Sequence, residues 1–495
     1  MTLRIVLILV LSSALSAWMH RDTLRTDVHG LHDWRQSQTM WNIRNFARYD
    51  NDLYTPRRSS FNGSNNNVAR MEFPIMQWGL AQVARLVGAD DELVISRVSV
   101  FILSLSGLVA FFLLLRVMAF PPWIAVAGTV LLQFNPLFYF YSVNVLPDLF
   151  ALAAGLWYLY FSFVYFRDRR WWQCLLAAVL LGLATLAKLP FAILGIVGGV
   201  YIATHLYRDR RFDWSVVAFA VVHLICALPA LQWYTWVIPT WNNNPVVYGI
   251  FGNTNDRAEN RRIFYFYWRQ YIPYDLLSPA VWLYFLVGCW RPLRPPAPTP
   301  YARYVWALAF VTLLYVLGQF NTITTVHDYY LFPLLPWMYI VVTAGLGRVW
   351  QWVRDGRAPW VLRAGKVAVA VSILASPLLA HRLSAPKGDE RIGAYYEQLR
   401  DVRRYRAELQ AVTDHDSLVI ALNDHSGHVF TWLIRKRGYV FSSDAIKPAW
   451  IDDMRRRGVT HLYSNSRRID QDSAFQTRFD SLVLERGNVK VFRLK

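Results

Sequence analysis

His29-Gly30-Leu31-His32-Asp33-Trp34-Arg35-Gln36-Ser37-Gln38-Thr39 places two histidines, an aspartate, an arginine and two glutamines in eleven residues, about ten residues past the end of the first apolar run. Charged groups beside a membrane are costly unless they are paired or used. Further along the same stretch, Glu72-Phe73-Pro74 adds a second carboxylate. This polar loop reads as the active site, and the rest of the chain as what holds it at a membrane surface.

The surrounding composition supports that division. Of 495 residues, 55% are hydrophobic and only 17% charged, and mean hydropathy is +0.22. Soluble domains carry about 25% charged residues. The composition is that of a polytopic membrane protein with room for one helical bundle and one soluble domain. Net charge is +19, from 52 basic and 33 acidic residues. The basic residues fall in small clusters between apolar runs, as in cytoplasmic membrane loops, so nucleic acid is not the expected partner. Aromatic residues make up 16%, with 22 Trp, which suits interfacial belts and contact with membrane lipids. Cys174, Cys226 and Cys289 each lie inside an apolar run and read as packing residues, without a disulfide or thiol chemistry.

Met1 to Met19 reads as a first span, with a signal peptide cleaved after Ala14-Leu15-Ser16-Ala17 as the alternative. Residues 20–92 form a long polar loop. Asn62-Gly63-Ser64 within it is formally a glycosylation sequon, but the run Asn62 to Asn67 reads as a plain turn-rich loop. Further spans are expected near 93–115, 121–141, 147–166, 172–188, 190–206, 214–234, 275–290, 304–319, 329–347 and 367–381, about eleven in all. One set of connecting loops holds Arg116, Arg167, Arg169, Arg170, Arg208, Arg210, Arg211, Arg291, Arg294, Arg303, Arg348, Arg354, Arg357, Arg363 and Lys366. The short loops near 142–146, 189 and 321–326 hold almost no such residues. The positive-inside rule puts the arginine-rich set in the cytoplasm. The loops 20–92 and 235–274 and the C-terminal segment then face the periplasm.

From residue 383 the composition changes. Arg391 to Tyr405 has helical spacing of Leu399, Val402 and Tyr405. Ser417 to Leu422, Gly458 to Tyr463 and Val489 to Phe492 read as strands; Ala449 to Met454 and Phe475 to Leu484 read as helices. The alternation predicts a soluble α/β domain over 383–495, beside a transmembrane domain over 1–382. Asp414, His415, Asp416, Asp424, His425 and His428 read as strand caps and turns in preference to metal ligands.

The topology gathers unusual polar residues on one membrane face: Asp33 and Glu72, Asp148 after Pro147, Lys188 before Leu189-Pro190, and His327-Asp328-Tyr329-Tyr330. Taken singly, Asp148 and Lys188 fit helix caps or interfacial anchors equally well.

Together, His32-Asp33-Trp34-Arg35-Gln36-Ser37-Gln38-Thr39, Glu72-Phe73-Pro74, Pro147-Asp148, Ala187-Lys188-Leu189-Pro190 and His327-Asp328-Tyr329-Tyr330 resemble the GT-C membrane glycosyltransferases. The similarity is to the bacterial relatives of protein O-mannosyltransferases and of the lipid A aminoarabinose transferase, and it extends over nearly the whole chain. The resemblance implies a polytopic α-helical membrane protein with a C-terminal periplasmic domain, in a bacterial inner membrane. It implies a polyprenyl-phosphate sugar donor, inverting transfer to a glycan, lipid or protein acceptor, and an external-loop carboxylate as base. The physics agrees: a lipid tail needs an apolar groove, its phosphate needs Arg or Lys, and a hydroxyl acceptor needs a base. Carried over by motif, Arg35 and Lys188 bind the donor phosphate, with Tyr329 and Tyr330 as hydrogen-bond donors. Asp33 is the base and Glu72 binds acceptor or a divalent metal, with His327 as a second metal ligand. One position departs. Many relatives have an acidic pair where this chain reads His32-Asp33, so His32 is a second candidate for the base.

Two other classes compete. A transporter or flippase would place ionisable residues near mid-span, whereas most here lie at one edge. A non-catalytic polyprenyl-lipid-binding protein would need Arg35 and Lys188 but not Asp33. A polymerase or ligase of lipid-linked glycans shares the same chemistry.

Overall fold

The structure is a computed structural model that describes residues 3–61, 66–88, 91–208, 214–238, 256–290, 301–320, 323, 327–355, 359–393, 395–442 and 445–495. The sequon Asn62-Gly63-Ser64, Arg210, Arg211, Arg291, Arg294, Arg357 and much of the 235–274 and 321–326 loops lie outside the described residues. The chain divides into two compact units. The first holds Met1–Arg25, Met71–Met76 and Ser96–Ala385; the second holds Thr26–Arg70, Gln77–Ile95 and Pro386–Lys495. The C-terminal segment thus shares its unit with most of the polar loop that follows the first apolar run.

The first unit is helical. Among the described residues, six helical segments are long and apolar enough to cross a membrane: Glu92–Val117, Pro147–Asp168, Leu189–Tyr207, Trp214–Val237, Asp328–Arg354 and Leu362–Gly388. Four shorter apolar helices, Leu3–Met19, Pro122–Gln133, Trp171–Ala187 and Ala302–Gly318, occupy other expected span positions. Prolines set several starts. Pro122, Pro136 and Pro147 open their helices, where a missing N–H costs nothing. Close helix contacts rest on glycine: a Cβ on Gly345 would lie 1.8 Å from the Tyr284 carbonyl oxygen. That proximity explains how Trp282–Trp290 packs tightly on Leu335–Arg354.

The second unit is built on a five-stranded sheet in the order β2-β1-β3-β5-β4. The strands are β1 Leu418–Leu422, β2 Arg437–Phe441, β3 Val459–Ser464, β4 Phe479–Arg486 and β5 Val489–Leu494. β1 runs parallel to β2 and β3, and β5 runs antiparallel to β3 and β4. β1, which lies between β2 and β3, is apolar on both faces. Ile420 and Leu422 pack with Tyr439, Ile451, Met454 and Phe492, while Val419 and Ala421 pack with Leu399, Val402, Phe430 and Val491. Alternate residues of a strand point to opposite faces, so helices on both sides seal it. The early loop joins this fold directly. Phe61 N–H donates to the Gly438 carbonyl at 3.0 Å, Gly438 N–H donates to the Ser59 carbonyl at 3.1 Å, and Trp34 packs against the Val419 side of the core.

Two local expectations are corrected. Phe475 to Leu484 does not form one helix: Ser473–Gln476 makes a single helical turn and Phe479–Arg486 is a strand. Pairing with β5 through the Gly487 turn decides it, and Phe479 stacks on Phe492 with ring centroids 4.2 Å apart. Arg437–Phe441 is a strand that the periodicity reading passed over.

Candidate active site

In the first unit the sequence-selected residues of the later motifs come together. The helix Trp171–Ala187 ends at Lys188, whose backbone turns extended at φ −157 and ψ 109. Pro190 follows two residues later and cannot supply an N–H to continue the helix. Lys188 is thereby held at the helix end, 6% exposed. Its Nζ lies 3.5 Å from Oδ2 of Asp148, which sits in the first turn of Pro147–Asp168. The same ammonium lies over two aromatic faces, 5.2 Å from the Tyr329 ring centroid and 4.9 Å from that of Tyr330. A cation over such rings is attracted by their negative faces, more strongly when desolvated.

The tyrosines are themselves fixed. They lie in the tight helical turn Asp328–Leu334. The Tyr315 hydroxyl donates to the Tyr330 carbonyl at 3.2 Å, and the Tyr141 hydroxyl donates to Asp328 Oδ1 at 2.5 Å. His327 abuts both rings edge-on, 5.6 Å from Tyr329 and 5.9 Å from Tyr330. The Glu72 segment is pinned to this cluster from the other direction. Phe73 N–H donates to the Leu186 carbonyl at 3.2 Å, two residues before Lys188. Trp233 Nε1 donates to the Met71 carbonyl at 2.8 Å, and Tyr234 donates to the Leu186 carbonyl at 3.0 Å. Asp148, Lys188, His327, Asp328, Tyr329 and Tyr330 therefore form one polar cluster inside an apolar bundle, with His327 and Tyr330 half-buried and the others buried, and the backbone next to buried Glu72 is tied to the helix that ends at Lys188.

His32, Asp33 and Arg35 belong to the second unit. His32 occupies the N-cap position of the helix Asp33–Arg48 in a left-handed backbone, φ 62, with no side-chain capping hydrogen bond. Asp33 is fully buried. Its Oδ1 accepts the Trp34 N–H at 2.7 Å and its Oδ2 accepts Arg403 Nη2 at 2.6 Å. Arg403 also donates through Nη1 to the Val28 carbonyl at 3.1 Å. Burial pushes the Asp33 carboxyl above the ordinary aspartate value; Arg403 opposes the rise and nearby Asp424 adds to it. Asp424 is raised by burial too, although it accepts N–H bonds from Ser426 at 2.9 Å and Phe430 at 3.0 Å. Arg35 is buried and donates to Gln38 Oε1 at 2.5 Å.

Arg403 and Tyr141 lie in no motif that marks them in the sequence, and Asp424 reads there only as a strand cap or turn. Arg403 lies 370 residues from Asp33, and no local spacing signals the pair. Among the described residues no three His, Cys, Asp or Glu side chains assemble as metal ligands.

Residues 72–233 match the family model described as dolichyl-phosphate-mannose-protein mannosyltransferase, a stretch that includes Glu72, Asp148 and Lys188. Comparison with curated protein sequences found no match. The chain is similar in structure to ArnT from Cupriavidus metallidurans in the apo state, with 14% identity, a TM-score of 0.67, and coverage of 99% of this chain and 97% of that one. It is similar also to the same ArnT bound to undecaprenyl phosphate, at 13% identity, TM-score 0.65 and the same coverage. A third similar structure is the archaeal oligosaccharyltransferase AglB from Archaeoglobus fulgidus in complex with an inhibitory peptide and a dolichol-phosphate: 10% identity, TM-score 0.54, covering 93% of this chain and 69% of that one. The family model covers 162 of the 495 residues, and these structures match nearly the full length of the chain, which shares the fold of ArnT and AglB.

Proposed function

We propose that the chain is an integral-membrane glycosyltransferase. It moves a sugar from a polyprenyl-phosphate-linked donor to a hydroxyl of a glycan, lipid or protein acceptor, on the periplasmic face of a bacterial inner membrane. The observation that carries this reading is the Lys188 cluster: a buried ammonium at a helix end, between Asp148 and two tyrosine faces, within an apolar bundle. A phosphate on a lipid tail matches that combination of cation, phenol donors and apolar surroundings. Support comes from the shared fold with a protein whose structure contains undecaprenyl phosphate.

In the reaction, the acceptor oxygen attacks the anomeric carbon while its proton passes to a carboxylate. The bond from that carbon to the phosphate oxygen breaks, polyprenyl phosphate leaves, and configuration at the carbon inverts. Lys188, with the Tyr329 and Tyr330 hydroxyls, holds the phosphate as it gains charge. Asp33 takes the proton, and its raised carboxyl makes it the stronger base. Glu72 orients the acceptor.

The burial of Asp33 favours a second reading for that residue alone. Its ion pair with Arg403 ties the early loop to the C-terminal segment inside one unit, and His32 is then the base. Purified protein supplied with a polyprenyl-phosphate sugar and a hydroxyl acceptor tests the function; product formed by wild type and lost in Lys188→Ala supports it.

A further inference from the structure

The second unit contains a basic pocket that the transfer reaction does not use. It has a volume of about 360 Å³ and is lined by Arg44, Asp91, Gln410, Thr413, His415, Arg435 and Lys436. Binding pockets for small molecules run from about 300 to 1,000 Å³. Three basic side chains, Arg44, Arg435 and Lys436, stand against one carboxylate, Asp91, among these lining residues. Asp91 is already engaged, its Oδ1 accepting the Leu93 and Val94 N–H groups at 3.2 and 3.3 Å at a helix start.

The cations are built in, not draped over the surface. Arg44 is 1% exposed on the helix Asp33–Arg48. It donates through Nη2 to the ring of His415, and its Nε and Nη1 have no hydrogen-bond partner among the described residues. Its guanidinium lies 5.5 Å from the Trp41 ring. Lys436 is also 1% exposed, with Nζ donating to the Thr413 and Asp414 carbonyls at 2.7 and 3.0 Å. Both acceptors are neutral, so the ammonium charge is bonded but not cancelled by them. Arg435 takes the left-handed backbone, φ 57, that ends the helix Val429–Ile434, and lies 4.6 Å over Trp432.

These groups repel one another. Burial draws the Arg44 guanidinium down to about 10 against the pull of Glu92, and Arg435 and Arg48 add to the fall. Lys436 is lowered by burial and then by Arg44, with Asp414 and Asp416 opposing. His415 is held down at about 4 by burial and then by Arg44, Arg48 and Lys436, so it is neutral at physiological pH. Nearby carboxylates offset part of this charge: Glu92 pairs with Arg48, and Asp416, which accepts the Tyr49 hydroxyl at 2.5 Å, keeps its own charge beside Lys436. A buried surplus of positive charge is costly unless an anion meets it.

We propose that this pocket binds a phosphate-class oxyanion, carried on a sugar or lipid head group or taken as the free ion. Two guanidinium forks and an ammonium suit a doubly charged, multi-oxygen group better than a single carboxylate.

The test uses the full-length protein in neutral detergent. Inorganic phosphate, glucose 6-phosphate, or vesicles of phosphatidic acid against phosphatidylcholine are titrated while the thermal midpoint is followed. Sodium chloride at matched ionic strength controls for screening. Wild type is expected to gain stability with phosphate-bearing probes beyond the chloride control. Arg435→Asn should raise the half-saturating concentration about tenfold or more. Asn tolerates the left-handed backbone, so this variant keeps the fold. Lys436→Gln should act in the same direction, and Arg456→Gln, on an exposed helix face, should change nothing. A response to inorganic phosphate alone assigns a free-ion site, to the sugar phosphate as well a glycan-borne group, and to phosphatidic acid a lipid head group; each supports the pocket. A chloride response equal to that of every phosphate probe, or an undiminished response in Arg435→Asn, overturns it.

Discussion

Lys188→Met removes the ammonium from a buried pair and so perturbs two things at once. The side chains of Lys188 and Asp148 are 8% and 2% exposed, and their charged atoms are 3.5 Å apart. Removing one partner of such a pair leaves an uncompensated buried charge and costs about 3–5 kcal/mol. Losing one charge-assisted contact to a phosphate costs about 1.5–3 kcal/mol, roughly 10- to 150-fold in donor affinity. The two effects separate in a double variant. Lys188→Met with Asp148→Asn removes both charges, so the thermal midpoint should recover most of what the single variant loses. Donor affinity should not recover, because the phosphate still lacks its cation. The assay is thermal unfolding in detergent alongside equilibrium binding of undecaprenyl phosphate. Wild-type affinity in the double variant would show that Lys188 serves only to balance Asp148, and the phosphate assignment would fail.

Asp33→Asn should lower turnover about 10²- to 10⁴-fold with donor affinity little changed; a dead His32→Gln beside a near-normal Asp33→Asn would move the base to the histidine. Because the Asp33 carboxyl is raised, the acid limb of the rate profile should lie above the ordinary aspartate value of about 3.9 and fall as pH drops through it. Arg403→Gln removes the cation that opposes the rise, so the limb should shift to higher pH; a shift downward would contradict the pairing. His428 is buried and held down at about 3, first by burial and then by Arg58 and Arg35. Between pH 6.5 and about 3 the unfolded chain takes a proton that the folded chain refuses, so stability present above pH 6.5 is lost on acidification, at about 1.4 kcal/mol per pH unit. His428→Gln should flatten the unfolding midpoint across that window, and an unchanged slope would exclude the histidine as its source. At Gly30, φ is +75 and an added Cβ would stand 2.4 Å from the Lys387 carbonyl oxygen. Gly30→Ala should therefore cost about 2 kcal/mol or more in thermal unfolding; a neutral effect would show that the loop adjusts freely.

The bundle was legible because its signals are local. Apolar runs, opening prolines and the break at Lys188-Leu189-Pro190 report themselves within a few residues, and the polar motifs stand out against that background. The same locality explains the misses. Phe479–Arg486 has enough apolar residues to look helical, and only its pairing across the Gly487 turn makes it a strand. Arg437–Phe441 is short and begins Arg-Gly, and parallel pairing with Leu418–Leu422 holds it in the sheet. The Asp33–Arg403 pair joins residues from opposite ends of the chain, so no local spacing signals the partner of Asp33. Lys188 was found as a cation, but its setting between Asp148, Tyr329 and Tyr330 depends on packing among three separate segments.

Donor choice tests the central claim most directly. Purified protein is given either a polyprenyl-phosphate-linked sugar or the matching nucleotide sugar, with a hydroxyl acceptor and no lipid intermediate in the second case. The account predicts transfer from the lipid-linked donor, reduced at least tenfold in kcat/KM by Lys188→Ala, and none from the nucleotide sugar. Transfer from the nucleotide sugar alone would contradict it.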